Sequence, residues 1–89
     1  MIHASLIFVR ITDRTVSGTY KNFPVDSKIM LIDSTMGTEV SGIGLTTKND
    51  SGDLEFKLPK HQVPVGQYYL KALNRGGGFL AQSVPFYVH

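Results

Sequence analysis

Leu54-Glu55-Phe56-Lys57-Leu58 changes from apolar to charged and back at every residue. A period of two belongs to a β-strand with one face on a core and the other in water, so Leu54, Phe56 and Leu58 should point inward. A helix needs apolar residues three and four apart along one stripe, and almost nothing in the chain has that period. Short β-branched and aromatic runs are instead separated by clusters of Gly, Asn, Asp, Ser and Pro, the pattern of an antiparallel β protein.

Working toward the C-terminus, residues 59–66 form a connection containing Pro59 and Pro64. A strand is expected over 66–73, with Tyr68, Leu70 and Ala72 sharing its core face, followed by a hairpin loop at 74–78. The last strand spans 79–88, with Val84, Phe86 and Val88 inward. Pro85 has no N–H to give a ladder, which puts this strand at an edge or interrupts it there.

Toward the N-terminus, 47–52 is a polar turn and 38–46 a glycine-softened strand, bulged or at an edge. Ser34-Thr-Met-Gly37 is a turn, and Lys28–Asp33 is the most apolar strand and therefore central. Pro24 and the Asp26-Ser27 pair set a loop before it. Residues 15–20 present Val16, Gly18 and Tyr20 to the core; Asp13-Arg14 turns the chain. In the first strand, 5–12, Ile7, Val9 and Ile11 share one face and Leu6, Phe8 and Arg10 the other. Seven strands in 89 residues predict a seven-stranded antiparallel immunoglobulin-like β-sandwich, one domain over residues 1–89.

The chain has no Cys, which excludes a disulfide framework, a thiolate metal site and a thiol nucleophile. Its net charge of +2 is spread over nine basic and seven acidic residues with no basic run, so nucleic acid is not an expected partner. No segment nears the roughly 20 apolar residues of a membrane-spanning helix, and membrane insertion is not expected. The first ten residues, from Met1, hold an apolar patch but lack a basic n-region and a small-residue cleavage site; they read as a first strand and not as a signal peptide.

Val63-Pro-Val-Gly-Gln-Tyr-Tyr-Leu-Lys-Ala72 contains the pattern P-x-G-x-Y followed by alternating apolar residues. It resembles the start of the penultimate strand in immunoglobulin-like and fibronectin type III-like domains. That resemblance implies a tyrosine corner at Tyr68, its hydroxyl bonding back to nearby backbone. Ala81-Gln-Ser-Val-Pro-Phe-Tyr-Val88 is similar to the closing strand of surface-module repeats. From about Val16 to Val88 the chain looks like a domain of fungal Ser/Thr-rich anchored cell-wall proteins. No Cys pair and no Trp accompany these features, unlike an antibody domain, and Arg75 is followed by Gly-Gly rather than Gly-Asp. None of these resemblances assigns a functional residue.

Chemistry-bearing residues are sparse. His3, His61 and His89 have no zinc or hydrolase spacing; the outer two read as frayed ends and His61 as a solvated loop residue. Thr47-Lys-Asn-Asp-Ser-Gly-Asp53 lacks the acidic alternation of a calcium loop. Arg75-Gly-Gly-Gly78 opens no helix that would hold a phosphate. No serine has a nearby His-plus-acid pair in the sequence, and a small sandwich seldom offers the cleft that paired carboxylates need. No catalytic residue, metal or cofactor is expected.

Alternate loops of such a sandwich gather at one end. Loops 21–27, 47–52 and 74–78 would meet there and present Lys21, Asn22, Phe23, Asp26, Lys48, Asn49, Asp50 and Arg75. Tyr69 and Tyr87, facing outward, would form an aromatic platform for sugar or protein. The expected role is a non-enzymatic structural or adhesion module that binds a protein partner or self-assembles. A decoration or accessory subunit of a phage or viral particle is the leading setting, with a virion or an extracellular surface as the compartment. A carbohydrate-binding module is the alternative, and a small protein-binding inhibitor a third. The strands at 5–12 and 79–88 would be the edges open to sheet augmentation.

Overall fold

Asp13 and Arg14 both take positive φ, 48° and 60°. Two successive left-handed residues make the type I′ turn whose twist matches that of a hairpin. The hairpin joins β1 (Ser5–Thr12) to β2 (Thr15–Lys21), with Thr12 opposite Thr15. β5 (Gly52–Lys57) pairs with the far side of β2 and completes a sheet in the order β1-β2-β5. The second sheet orders β4 (Thr38–Thr46), β3 (Lys28–Asp33), β6 (Gly66–Leu73) and β7 (Phe79–Gln82), while β8 (Phe86–Val88) also pairs with β6. This computed structural model describes residues 3–89; Met1 and Ile2, which begin the apolar N-terminal approach, lie outside them. All pairings are antiparallel and no helix occurs among the described residues. The architecture is a β-sandwich with β3, the most apolar strand, inside its sheet.

The expected seventh strand is two strands. Ser83 takes the ladder position beside Leu70, its hydroxyl accepting the Leu70 N–H at 2.9 Å while its own N–H donates to the Leu70 carbonyl at 2.8 Å. Val84 and Pro85 leave the sheet at that point. Val84 is 68% exposed and not inward as the alternation suggested; Phe86 and Val88 do point inward. The hydroxyl keeps pairing going where the missing N–H of Pro85 ends the regular ladder.

β1 carries a second irregularity. Ile7 pairs with Thr19 and Arg10 with Ser17, so Phe8 and Val9 together oppose Gly18. This two-against-one bulge shifts the side-chain phase. Leu6, Val9 and Ile11 pack on the core, whereas strict alternation had grouped Ile7, and not Leu6, on one face with Val9 and Ile11. Gly18 allows it, because a Cβ would lie 3.0 Å from Val9 Cγ2 and 3.2 Å from the Ile7 carbonyl oxygen. β4 is both an edge and bulged: Met30 pairs with Gly44 and Ile32 with Glu39, leaving residues 40–43 opposite Leu31 alone. Gly42 turns at φ 81° within that bulge, and Gln62 holds it by donating from Nε2 to the Ser41 carbonyl at 3.0 Å.

One core fills the space between the sheets. Val16, Tyr20, Leu54 and Phe56 meet Ile29, Leu31, Tyr68, Leu70, Phe86 and Val88, β4 adds Ile43, and connections supply Phe23, Leu58 and Val63. The Tyr68 hydroxyl donates to the Pro64 carbonyl at 2.7 Å, the bond that a tyrosine corner implies. Both histidines expected to fray are tied: the His3 carbonyl accepts from Asn22 and the His89 carbonyl from Arg14.

Candidate functional site

The loop between β2 and β3 and the loop between β4 and β5 are joined by a buried polar seam. Thr47 is its centre. Its hydroxyl accepts the Ser27 N–H at 3.1 Å and donates to the Pro24 carbonyl at 3.0 Å. The Thr47 N–H donates to the Ser27 carbonyl at 2.8 Å, and the Asp26 N–H to the Thr47 carbonyl at 2.9 Å. The Ser27 hydroxyl also donates to the Pro24 carbonyl. Farther out, the Phe23 N–H reaches the Asp50 carbonyl at 2.9 Å. Ser27 and Thr47 are fully buried, so water cannot compete for these groups, and each finds its partner inside the seam.

Local backbone preferences support this arrangement. Asn22 and Asp26 sit at φ 63° and 68°, left-handed conformations that Asn and Asp tolerate better than other side chains. Pro24 fixes the turn between them. Phe23, expected at the surface, is only 2% exposed and anchors the loop in the core, its ring 5.5 Å from that of Tyr20. A polar loop conceals an apolar anchor.

The third loop joins the same end. Arg75 approaches Asp26 at 3.8 Å, across the gap between the 74–78 hairpin and the 21–27 loop. The hairpin is itself closed: the Asn74 N–H donates to the Gly78 carbonyl, and the Gly78 N–H donates to Asn74 Oδ1, both at 2.7 Å. Gly77 supplies the positive φ, 90°, that this closure needs. Lys21, Asn22, Lys48, Asn49 and Arg75 therefore share one end of the molecule, all exposed. The exposed apolar residues Val25 and Phe79 belong to the same end. Val25 lies outside the strands, where alternation predicts nothing, and Phe79 opens β7 at its exposed end.

Tyr69 and Tyr87 are not paired with each other. Tyr87 lies across from Gln67, and its ring meets that of His89 at 4.9 Å between centroids. Tyr69 lies across from Ile32 and is half-buried. Among the described residues, no three of His, Cys, Asp and Glu gather as metal ligands would, and no helix is long and apolar enough to cross a membrane.

The sequence matches no described protein family and no curated protein.

Proposed function

We propose that this chain is a non-enzymatic recognition module that engages a protein partner through its three-loop end. The observation that carries the proposal is the buried Pro24–Ser27–Thr47 seam, which holds two of the loops in one shape before any partner arrives. A surface fixed in advance loses little conformational entropy on binding. Recognition residues of sandwiches commonly lie on loops held by a rigid scaffold. Lys21, Lys48 and Arg75 supply charge, Asn22 and Asn49 adaptable hydrogen bonds, and Val25 and Phe79 apolar area at the same end.

In its narrower form the proposal seats the module on a larger particle, such as a virion, where contacts with neighbours add to the stability of a small domain. The test places a photo-reactive amino acid at position 49 and, as a control, at Glu55 on the outer face of β5, in cells or particles that make the protein. A discrete adduct is expected from position 49, lost when Lys21, Lys48 and Arg75 are changed to Ala. On a particle, that adduct sediments with it. No adduct, or the same adducts from position 55, overturns the reading.

A further inference from the structure

Phe8 holds a φ of 56°. The left-handed region is unfavourable for a bulky L residue, and it persists only where the surroundings enforce it. The β1 bulge enforces it here: Phe8 and Val9 share Gly18 as their partner, and Val9 takes the core position. The Phe8 ring gains little from the fold in return, because the residue is 74% exposed. A bulge that re-aims one side chain at the expense of backbone strain is a device of functional surfaces.

Gly18 and Arg10, the neighbours of Phe8 across and along the bulge, line a groove of about 340 Å³ on the outer face of the β1-β2-β5 sheet. Ser17, Thr19, Asp53 and Glu55 complete its polar lining, turned away from the core by the alternation of β2 and β5. The volume falls within the roughly 300–1,000 Å³ of small-molecule sites. Neighbouring strands lie about 4.8 Å apart, so the groove crosses roughly 10 Å from β1 to β5, about the length of a disaccharide. On the β5 side, Asp53 Oδ1 accepts from the Thr19 hydroxyl at 3.4 Å; on the β1 side, Arg10 Nη1 donates to the Phe8 carbonyl at 3.0 Å. The ion pairs among the described residues join Lys28 to Glu39 and Arg75 to Asp26, so Arg10 and Asp53 keep hydrogen-bonding capacity for a ligand. Charges of both signs on one groove suit a neutral ligand rich in donors and acceptors better than an ion.

We infer that this groove is a binding site for a neutral saccharide, with one sugar ring stacked on Phe8 and hydroxyls shared between Arg10 and Asp53. The electron-rich face of an aromatic ring attracts the polarised C–H groups of a sugar. A carboxylate accepts from sugar hydroxyls and a guanidinium donates to them, each bond strengthened by the charge. The cost of holding Phe8 outward is thereby repaid in binding and not in folding.

The test is NMR titration of the isotope-labelled chain with cellobiose, maltose, lactose and diacetylchitobiose, each to about 50 mM. At least one sugar should give saturable shifts at the amides of Phe8, Arg10, Ser17, Thr19 and Asp53. Glycine adopts a left-handed backbone without strain, so Phe8→Gly keeps the bulge and removes only the ring. It should raise the half-saturating concentration about tenfold or more, whereas Phe8→Tyr, which keeps an aromatic face, stays within about twofold of wild type. Asp53→Asn should raise it about fivefold, and the exposed Lys60→Gln, off this face, should leave it unchanged. Shifts that grow linearly without saturating for every sugar overturn the inference. So does saturable binding that Phe8→Gly leaves intact, or a saturable response to lysine methyl ester in place of the sugars. The assay uses the isolated chain and free sugars, so its outcome is independent of the loop-end reading.

Discussion

Tyr68 links sequence to fold through one hydroxyl. Its 2.7 Å bond to the Pro64 carbonyl ties the start of β6 to the connection before it, and the ring lies in the core. Removing the hydroxyl in Tyr68→Phe keeps the ring and loses the bond, a cost of about 1 kcal/mol in urea unfolding. Burial raises the Tyr68 pKa above its ordinary 10.0; Asp33 adds to the rise and Arg14 opposes it. The folded state therefore favours the neutral phenol. Its contribution to stability is complete below the unfolded pKa and is lost as pH climbs through the folded one. Wild type should lose stability more steeply than Tyr68→Phe as pH rises above about 10, the ordinary tyrosine value. Parallel slopes for the two proteins would contradict this. Arg14 also reaches beyond its own element, joining the β1–β2 turn to the β5–β6 connection and to the end of β8.

At the scale of the element, the irregularities are as informative as the strands. Phe8 is 74% exposed at φ 56°, so an L side chain occupies a left-handed bulge position with little burial in return. Phe8→Gly should stabilise the protein by up to about 1 kcal/mol, read as a higher melting temperature; a lower one would mean that the Phe8 ring contributes packing that outweighs its backbone strain. In the polar seam, Thr47→Val preserves shape while removing the hydroxyl that both accepts from Ser27 and donates to Pro24. The expected cost is about 1–3 kcal/mol by chemical denaturation, and a change under half of that would show the seam to be incidental. Alternation made the regular elements legible from sequence: Leu54 and Phe56, or Tyr68, Leu70 and Ala72, need no knowledge of a neighbour to be assigned a face. Bulges are different, because they exist only between two strands. Leu6, and not Ile7, shares a face with Val9 and Ile11 since Gly18 admits the bulge, and Val84 turned outward since Ser83 replaces a ladder step before Pro85. The meeting of the three loops followed from strand order. The seam that fixes two of them joins residues 20 positions apart, Ser27 and Thr47, and no local pattern announces it.

Across the whole molecule, every sheet edge is interrupted or charged. β1 is bulged at Phe8-Val9, β4 at residues 40–43, and the β7–β8 edge breaks at Ser83–Pro85. β5, the fourth edge, carries Asp53, Glu55 and Lys57 along its exposed face. Bulges, proline and charge all oppose edge-to-edge pairing, which weakens the case for sheet augmentation at β1 or at β7–β8. Light scattering should give a mass near 9.8 kDa at low and at high salt; a stable dimer or ring would return self-assembly to the front. The loop end then remains the surface best prepared for a partner, provided that it is as rigid as the core beneath it. Native-state hydrogen exchange measures that most directly, at the amides of Phe23, Asp26, Ser27 and Thr47. If the seam locks the loops, these four amides exchange within about tenfold of those in the central strands β3 and β6. If they exchange as fast as the exposed loop amides of Lys48 and Gly76, the end is mobile and the account of a recognition surface fixed in advance is wrong.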